Sequence, residues 1–357
     1  MMTLRLFSDA AATVPLASTW LVGDLGVALG KQELFTRQSS EKLKVLREHA
    51  LVESAVSSNR IEGVAVDQKR VATLMFGSPA LRDRDEEEVR GYRAALDLIH
   101  RERASLAMTE SNIRRLHQLA RGEIWDAGKY KQKAEPIIER SSDGRSRVRF
   151  MPVEAGQATE AAMAELVERW NSLLVDRRVN PLIILAGFTL DFLCIHPFRD
   201  GNGRVSRLLM LQQAYHAGAE VGRYISLERL IEQNKPRYYE TLEQSSQGWH
   251  EGRHNPWPFV NYVLWVLKEA YKEFEQRVGE IAEPPGAKAE LVRQAIYRQQ
   301  SSFRVADLER ACPTVGRDWI RNILRQMKVG GEIRSFGHGA GARWEQTGPN
   351  KGSDTPK

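Results

Sequence analysis

The feature that most constrains this chain is Pro181–Ile195, apolar on nearly every face and followed at once by a polar, glycine-rich segment, His196-Pro-Phe-Arg-Asp-Gly-Asn-Gly-Arg204. A helix that is hydrophobic all round has to sit where other helices surround it. It is too short, and with Asp191 too polar, to be the roughly 20-residue span that a membrane requires. The stretch therefore predicts the central helix of a mainly α bundle, with no membrane crossing.

Other segments supply the surrounding helices. Apolar residues recur with helical spacing over Arg37–Val56 (Leu43, Leu46, Ala50), Asp85–His100 (Val89, Tyr92, Leu96, Ile99), Ser111–Leu119 and Val153–Val175. A further helix, Val205–Ala217, is stopped by Gly218. Between Tyr130 and Pro152 the period changes. Glu135–Glu139 and Arg145–Phe150 read as short strands about Ser141-Ser-Asp-Gly144, and Asp-Gly between β-favouring residues is a strong hairpin signal. Such a hairpin has edges able to pair with another chain. Glu283-Pro-Pro-Gly286 reads as a linker. Beyond it, helices at Lys288–Gln299, Val305–Ala311 and Val315–Lys328 and a Gly-rich hairpin, Gly330–Trp344, resemble a winged-helix module. The expected organisation is a leader over residues 1–36, a large helical domain over 37–282, a winged-helix-like domain over 287–346 and a disordered tail over 347–357.

With 42% hydrophobic and 27% charged residues the chain has the balance of an ordinary globular protein, and a net charge of +6 is a mild excess over 357 residues. Such an excess favours polyanions without identifying one. Cys194 and Cys312 stand far apart, with no CxxC and no Cys/His cluster at metal spacing, so neither a disulfide framework nor a zinc site is expected. The N-terminus breaks at Ser8-Asp9 before a continuous apolar region forms, and a cytoplasmic location is the expectation.

A polar loop between two apolar helices needs a reason. Gly201 and Gly203 remove Cβ atoms, so the backbone can turn sharply and present successive N–H groups. With the positive end of the following helix, those groups make an anion site suited to phosphates. Arg204 and Arg207, three apart on one helical face, bring two guanidinium groups to the same place. Asp200 supplies a hard oxygen of the kind magnesium accepts alongside phosphate oxygens. His196, of a residue type that titrates near about 6.5, is able to be neutral at pH 7 and accept a proton. Phe198 reads as an anchor pinning the loop to the core.

His196, Phe198, Asp200, Gly201, Asn202, Gly203, Arg204 and Arg207 match every fixed position of His-x-Phe-x-(Asp/Glu)-Gly-Asn-Gly-Arg-x-x-Arg, and on these residues the chain resembles the Fic family. The resemblance covers roughly Arg37–Lys272. It implies a Fic-type helical bundle with a β-hairpin flap, and a protein adenylyltransferase that uses ATP and magnesium to place AMP on a Tyr, Thr or Ser hydroxyl of target proteins and of itself. It implies His196 as general base, Asp200 as magnesium ligand and Asn202 as the residue holding the α-phosphate. The Gly201–Gly203 amides and Arg204 would hold the α- and β-phosphates, and Arg207 the γ-phosphate. Arg237-Tyr-Tyr-Glu-Thr-Leu242 resembles the family's adenine-side helix, with Tyr239 against the base, and reads equally as an aromatic pair on a core-facing helix. Ser246 stands where the family often has Asn, and Lys131 where it often has Arg. The hairpin Glu135–Phe150 is similar to the flap on which a target segment docks by strand addition.

Ser58-Asn-Arg-Ile-Glu-Gly63 matches the family's inhibitory pattern (Ser/Thr)-x-x-x-Glu-(Gly/Asn), with Ser58 and Glu62 on one helical face. The resemblance implies an inhibitory helix around 53–63 whose Glu62 pairs with Arg207 and denies the γ-phosphate its productive place, and a Glu62 that could also orient a water to remove AMP. It further implies a homodimer. Arg317, Arg321 and Arg325 form either a DNA-facing stripe or the solvated face of a module for target recognition or self-association. Two other readings stand beside the first: transfer of phosphate, with the nucleotide reversed, and a nucleotide-sensing, DNA-binding regulator. The intact Gly201-Asn-Gly203 and Arg204/Arg207 argue against the one, and His196 against the other.

Overall fold

The computed structural model of the chain describes every residue except 1, 10, 37–39, 78, 79, 141–145, 281–286, 298, 300, 301, 313, 314, 338–341 and 348–357. The expected turn Ser141–Gly144, the linker 283–286 and the tail from Gly348 lie outside the described residues. By its internal contacts the chain divides into two units, Met1–Val278 and Gly279–Lys357.

The first unit is a helical bundle with one hairpin. Two helices, α1 (Thr3–Ser8) and α2 (Leu16–Thr36), occupy the segment expected as a leader. They are followed by α3 (Ser40–Ile61), α4 (Gln68–Phe76), α5 (Arg84–Glu102) and α6 (Glu110–Arg121). Short polar side chains set the starts. Asp67 accepts from Lys69 N–H before α4, Asp83 from Glu86 N–H before α5, and Thr109 from Asn112 N–H before α6. The strands β1 (Ile137–Arg140) and β2 (Ser146–Phe150) pair antiparallel, with Ile138 opposite Val148. Then come α7 (Gln157–Asp176), α8 (Pro181–Ile195), α9 (Asn202–His216), α10 (Leu227–Gln233), α11 (Lys235–Ser246) and α12 (Trp257–Glu280). Asn180 caps α8, and Pro181 opens its first turn, where a missing N–H costs nothing.

As the apolar run predicts, α8 is the centre: every residue from Leu182 to Ile195 is buried. Its one charge is fully engaged. Asp191 accepts from Thr3 N–H at 2.7 Å, Leu4 N–H at 3.0 Å and Trp249 Nε1 at 2.7 Å. Burial pushes its carboxyl up to about 6, against the pull of those donors. The carboxylate thus caps α1 and docks it on α8, which makes the N-terminal segment part of the bundle core.

α3 runs through Val56 to Ile61, so the periodic stretch Arg37–Val56 and the helix expected around 53–63 are one continuous element. The start of α9 departs from the sequence reading: it lies at Asn202 rather than Val205. This extension carries polar residues with hydrogen-bond partners in the fold, a signal that periodicity does not contain. The second unit holds α13 (Ala287–Tyr297), α14 (Val305–Ala311), α15 (Arg317–Val329) and a hairpin of β3 (Ile333–Phe336) and β4 (Arg343–Gln346) around a core that includes Val292, Phe303, Leu308, Ile320 and Leu324. In it Arg317 is 3.4 Å from Glu309, and Arg321 is 3.6 Å from Asp318. Among the described residues no helix is long and apolar enough to cross a membrane.

Candidate active site

The loop 196–203 is shaped before any ligand arrives. α8 ends on His196 in the left-handed region, at φ 50° and ψ 61°, which turns the chain sharply. Lys131 holds that turn from the side: its backbone N–H donates to Pro197 O at 2.8 Å and its Nζ to Ile195 O at 2.9 Å. Asn202 closes the loop on itself, Oδ1 accepting from Phe198 N–H at 2.9 Å and Nδ2 donating to Phe198 O at 2.7 Å. Phe198 is the expected anchor, stacked on His117 with ring centroids 3.8 Å apart. Since His117 Nδ1 accepts from Gly128 N–H, its proton lies on Nε2, which donates to Asp200 O at 3.0 Å. Burial holds this imidazole down at about 4, so it stays neutral. Gly201 has φ +82°, and a Cβ there would sit 2.9 Å from Arg121 Cδ, so only glycine satisfies both conditions.

Two acid–arginine pairs flank α9. Arg204 donates to Glu88 Oε2 at 2.6 Å and to Asn59 Oδ1 at 3.2 Å. Glu88, on α5, also binds Arg121, which reaches on to Asp200 Oδ2 at 3.0 Å. Burial alone would push the Asp200 carboxyl up, but Arg121 and Arg204 outweigh it and hold it below the usual range. On the other flank Arg207 gives Nε to Ser58 Oγ at 2.9 Å, and Nη2 both to Ser58 O at 2.9 Å and to Glu62 Oε1 at 2.7 Å. Burial opposes the Arg207 cation, yet Glu62 more than offsets it, and its pKa is raised. Arg204 Nε and Arg207 Nη1 are buried without a hydrogen-bond partner in this structure.

A cavity of about 800 Å³ opens over the start of α9. His196, Gly203, Arg207, Glu62 and Tyr239 line it together. His196 Nδ1 lies 3.2 Å from Leu193 O; a carbonyl only accepts, so Nδ1 carries the proton and Nε2 keeps a lone pair. Burial pushes this imidazole down to about 4, ahead of smaller effects from neighbouring charges, so it is neutral at pH 7. The Glu62 carboxylate lies against Gly203 so closely that a Cβ on residue 203 would strike it. An anionic group therefore already sits at the N-terminus of α9, where phosphate is favoured. On the far wall, Arg149 from β2 lies over the Tyr239 ring at 4.9 Å and Lys235 Nζ at 5.9 Å, while Ile138 of β1 adds an apolar face.

The structure thus brings His196, Gly203, Arg207, Tyr239, Glu62 and Ser58 to one place, and sets Arg204, Asn202 and Gly201 behind the cavity wall within the loop's own support. Asp200 lies at the exposed rim, its side chain 60% exposed. Ser246 lines the cavity at the position where an Asn was expected. Glu88, Arg121, His117 and Lys235 are absent from the sequence reading. Glu88 stands in the acidic run 85–88, which reads as the ordinary acidic first turn of a helix; only its buried pairing with Arg121 and Arg204 distinguishes it.

A buried apolar helix, a glycine-rich turn and a second helix opening with an anion site, covered by a hairpin, define a Fic-type fold. Residues 107–214 match the Fic/DOC family model, and the chain carries a Fic/DOC family domain. Among solved structures it is similar to a Fic family protein from Desulfovibrio desulfuricans G20, at 24% identity and TM-score 0.62 over 95% of this chain and 98% of that one. A Fic domain containing signaling protein from Bacteroides thetaiotaomicron VPI-5482 matches at 23% identity and TM-score 0.58, covering 72% of this chain and 98% of that chain. Fic-1 (residues 134–508) from C. elegans matches at 18% identity and TM-score 0.57 over 75% and 76% of the two chains.

Proposed function

We propose that the protein transfers AMP from ATP to a hydroxyl of a protein substrate, and that Glu62 holds it in a low-activity state. The observation that carries the reading is the sharing of one cavity by a neutral imidazole with a free Nε2 lone pair and an arginine-lined helix N-terminus. The hydroxyl of the target gives its proton to His196 Nε2 as its oxygen bonds to the α-phosphorus; the bond from that phosphorus to the bridging oxygen breaks, and pyrophosphate leaves. His196 then returns the proton to solvent. Gly203 N–H and the helix end meet the phosphates, and Arg207 carries their terminal charge. Tyr239, Arg149 and Lys235 offer a stacking, cationic wall for the base. The hairpin β1–β2, whose Ile138 and Arg149 face the same cavity, presents edges to an extended target segment.

Asp200 fits magnesium as one carboxylate at an exposed rim, the arrangement the ion accepts when phosphate oxygens and water complete its shell. When bound there it neutralises phosphate charge. The protein's own share is positioning and one base, and a positioned base contributes about 10²–10⁴-fold.

Glu62 places a carboxylate on Arg207 where a γ-phosphate would bind, so nucleotide and Glu62 compete for one guanidinium. ATP labelled on the α- or the γ-phosphorus tests the reaction. Label from the α position should reach protein, and His196→Ala should lower it by about 10²–10⁴-fold. Transfer of γ label, or undiminished transfer by the variant, would remove the proposal.

A further inference from the structure

The end of α3 is closed by a Schellman motif. Val64 N–H donates to Asn59 O and Gly63 N–H to Arg60 O, each at 3.0 Å, with Gly63 at φ +85°. Ser58 O, one residue further back, takes Arg207 Nη2. The motif leaves over the Ile61 carbonyl, a helix-end acceptor that needs its donor from outside the helix. Lys235, the first residue of α11, supplies one: its Nζ donates to Ile61 O at 2.7 Å. That carbonyl is half of the peptide that joins Ile61 to Glu62. The other half, Glu62 N–H, donates to Asn59 O at 3.1 Å. Both ends of the peptide plane are therefore held, and the Ile61 side chain beside it is buried.

We infer that Lys235 is a positioning residue for Glu62, fixing the peptide from which the Glu62 side chain reaches Arg207. The inference rests on the reading of Glu62 as a brake. A carboxyl carbon three bonds out from its Cα moves with any tilt of that peptide, and a 2.7 Å contact with Arg207 Nη2 leaves little room for tilt. The helix dipole also favours a cation at the C-terminus of α3, so the clasp acts on the turn that would otherwise fray. The same ammonium lines the cavity and stands 5.9 Å from the centre of the Tyr239 ring. One side chain thus touches both the brake and the wall offered to the base. The two roles leave different traces. A base contact acts with or without Glu62, whereas a positioning contact acts only through it.

Transfer from ATP labelled on the α-phosphorus, at saturating nucleotide, separates them in four full-length proteins: the parent, Lys235→Met, Glu62→Gly and the double variant. Lys235→Met should raise the rate of the parent by about 5- to 10-fold, the worth of one hydrogen bond, and should not raise the rate of Glu62→Gly. No rise in the parent, or a rise shared by both backgrounds, overturns the inference, because Lys235 would then act without Glu62. Deuterium exchange on the nucleotide-free proteins reads the clasp apart from the reaction. The Glu62 and Gly63 amides should exchange faster in Lys235→Met than in the parent. If no label reaches protein in any of the four, the proposed reaction fails and exchange alone decides: unchanged protection at Glu62 and Gly63 overturns the clasp.

Discussion

The two arginines of the loop motif, three residues apart on one helix, live in different electrostatic worlds. Arg204 is tied to Glu88, whose side chain is 5% exposed and which also binds Arg121. Arg207 is tied to Glu62, whose side chain is 30% exposed and faces the cavity. A fully enclosed pair has no substitute partner, so it acts as a strut; its removal leaves a buried charge uncompensated. A pair that opens on a cavity can hand its cation to water or to an incoming anion, and so acts as a latch. Equal chemistry gives opposite roles because the surroundings differ.

The largest effect should come from breaking the strut. Glu88→Ala leaves Arg204 without its buried carboxylate and Arg121 with only Asp200 at the rim, and should cost about 3–5 kcal/mol, a fall in Tm on the order of 10 °C by calorimetry. An unchanged Tm would erase the distinction. Breaking the latch should move activity and leave stability nearly alone. Glu62→Gly should raise AMP transfer by roughly 5- to 150-fold, the range of a typical coupling free energy. Its stability cost should stay under about 1 kcal/mol, because Arg207 keeps both Ser58 contacts and gains the cavity. Equal rates of parent and variant would mean that Glu62 is no brake.

A smaller effect sharpens the same contrast. His196 is held at about 4 by burial, so it is neutral in both forms between pH 6 and 8, and the ratio of the two rates should be flat there. Below about pH 5 both rates should fall together as the base takes up a proton. Stability follows with a definite sign. His117 and His196 are pushed down to about 4 from the 6.5 they have unfolded, so unfolding takes up protons in between. Their contribution is complete above pH 6.5 and is lost as the pH falls toward 4, which thermal melts at stepped pH will read.

Much of the cavity was legible in the sequence because its residues are local: His196 through Arg207 lie on one turn and one helix start, and Ser58 and Glu62 on one helical face. The central helix was legible for the same reason, since a run without polar faces has one place to go. Glu88, His117 and Lys235 were not, because what they do depends on partners brought near by folding: Glu88 meets a residue 116 positions away, and Lys235 one 174 away. No period or spacing encodes such contacts. Asn202 was read by resemblance as a phosphate holder, and the structure has both ends of its amide engaged with Phe198. α2 escaped notice because its apolar residues lie on two faces, one toward the bundle and one outward, which blurs the amphipathic pattern.

The docking of Thr3 and Leu4 on Asp191 bears on the order of assembly during synthesis. Its acceptor is made 188 residues after Thr3, and the tryptophan that completes the cluster still later. The turn that begins at Thr3 therefore has to wait, unsheltered, until nearly the whole bundle has left the ribosome, and it is among the last pieces able to lock.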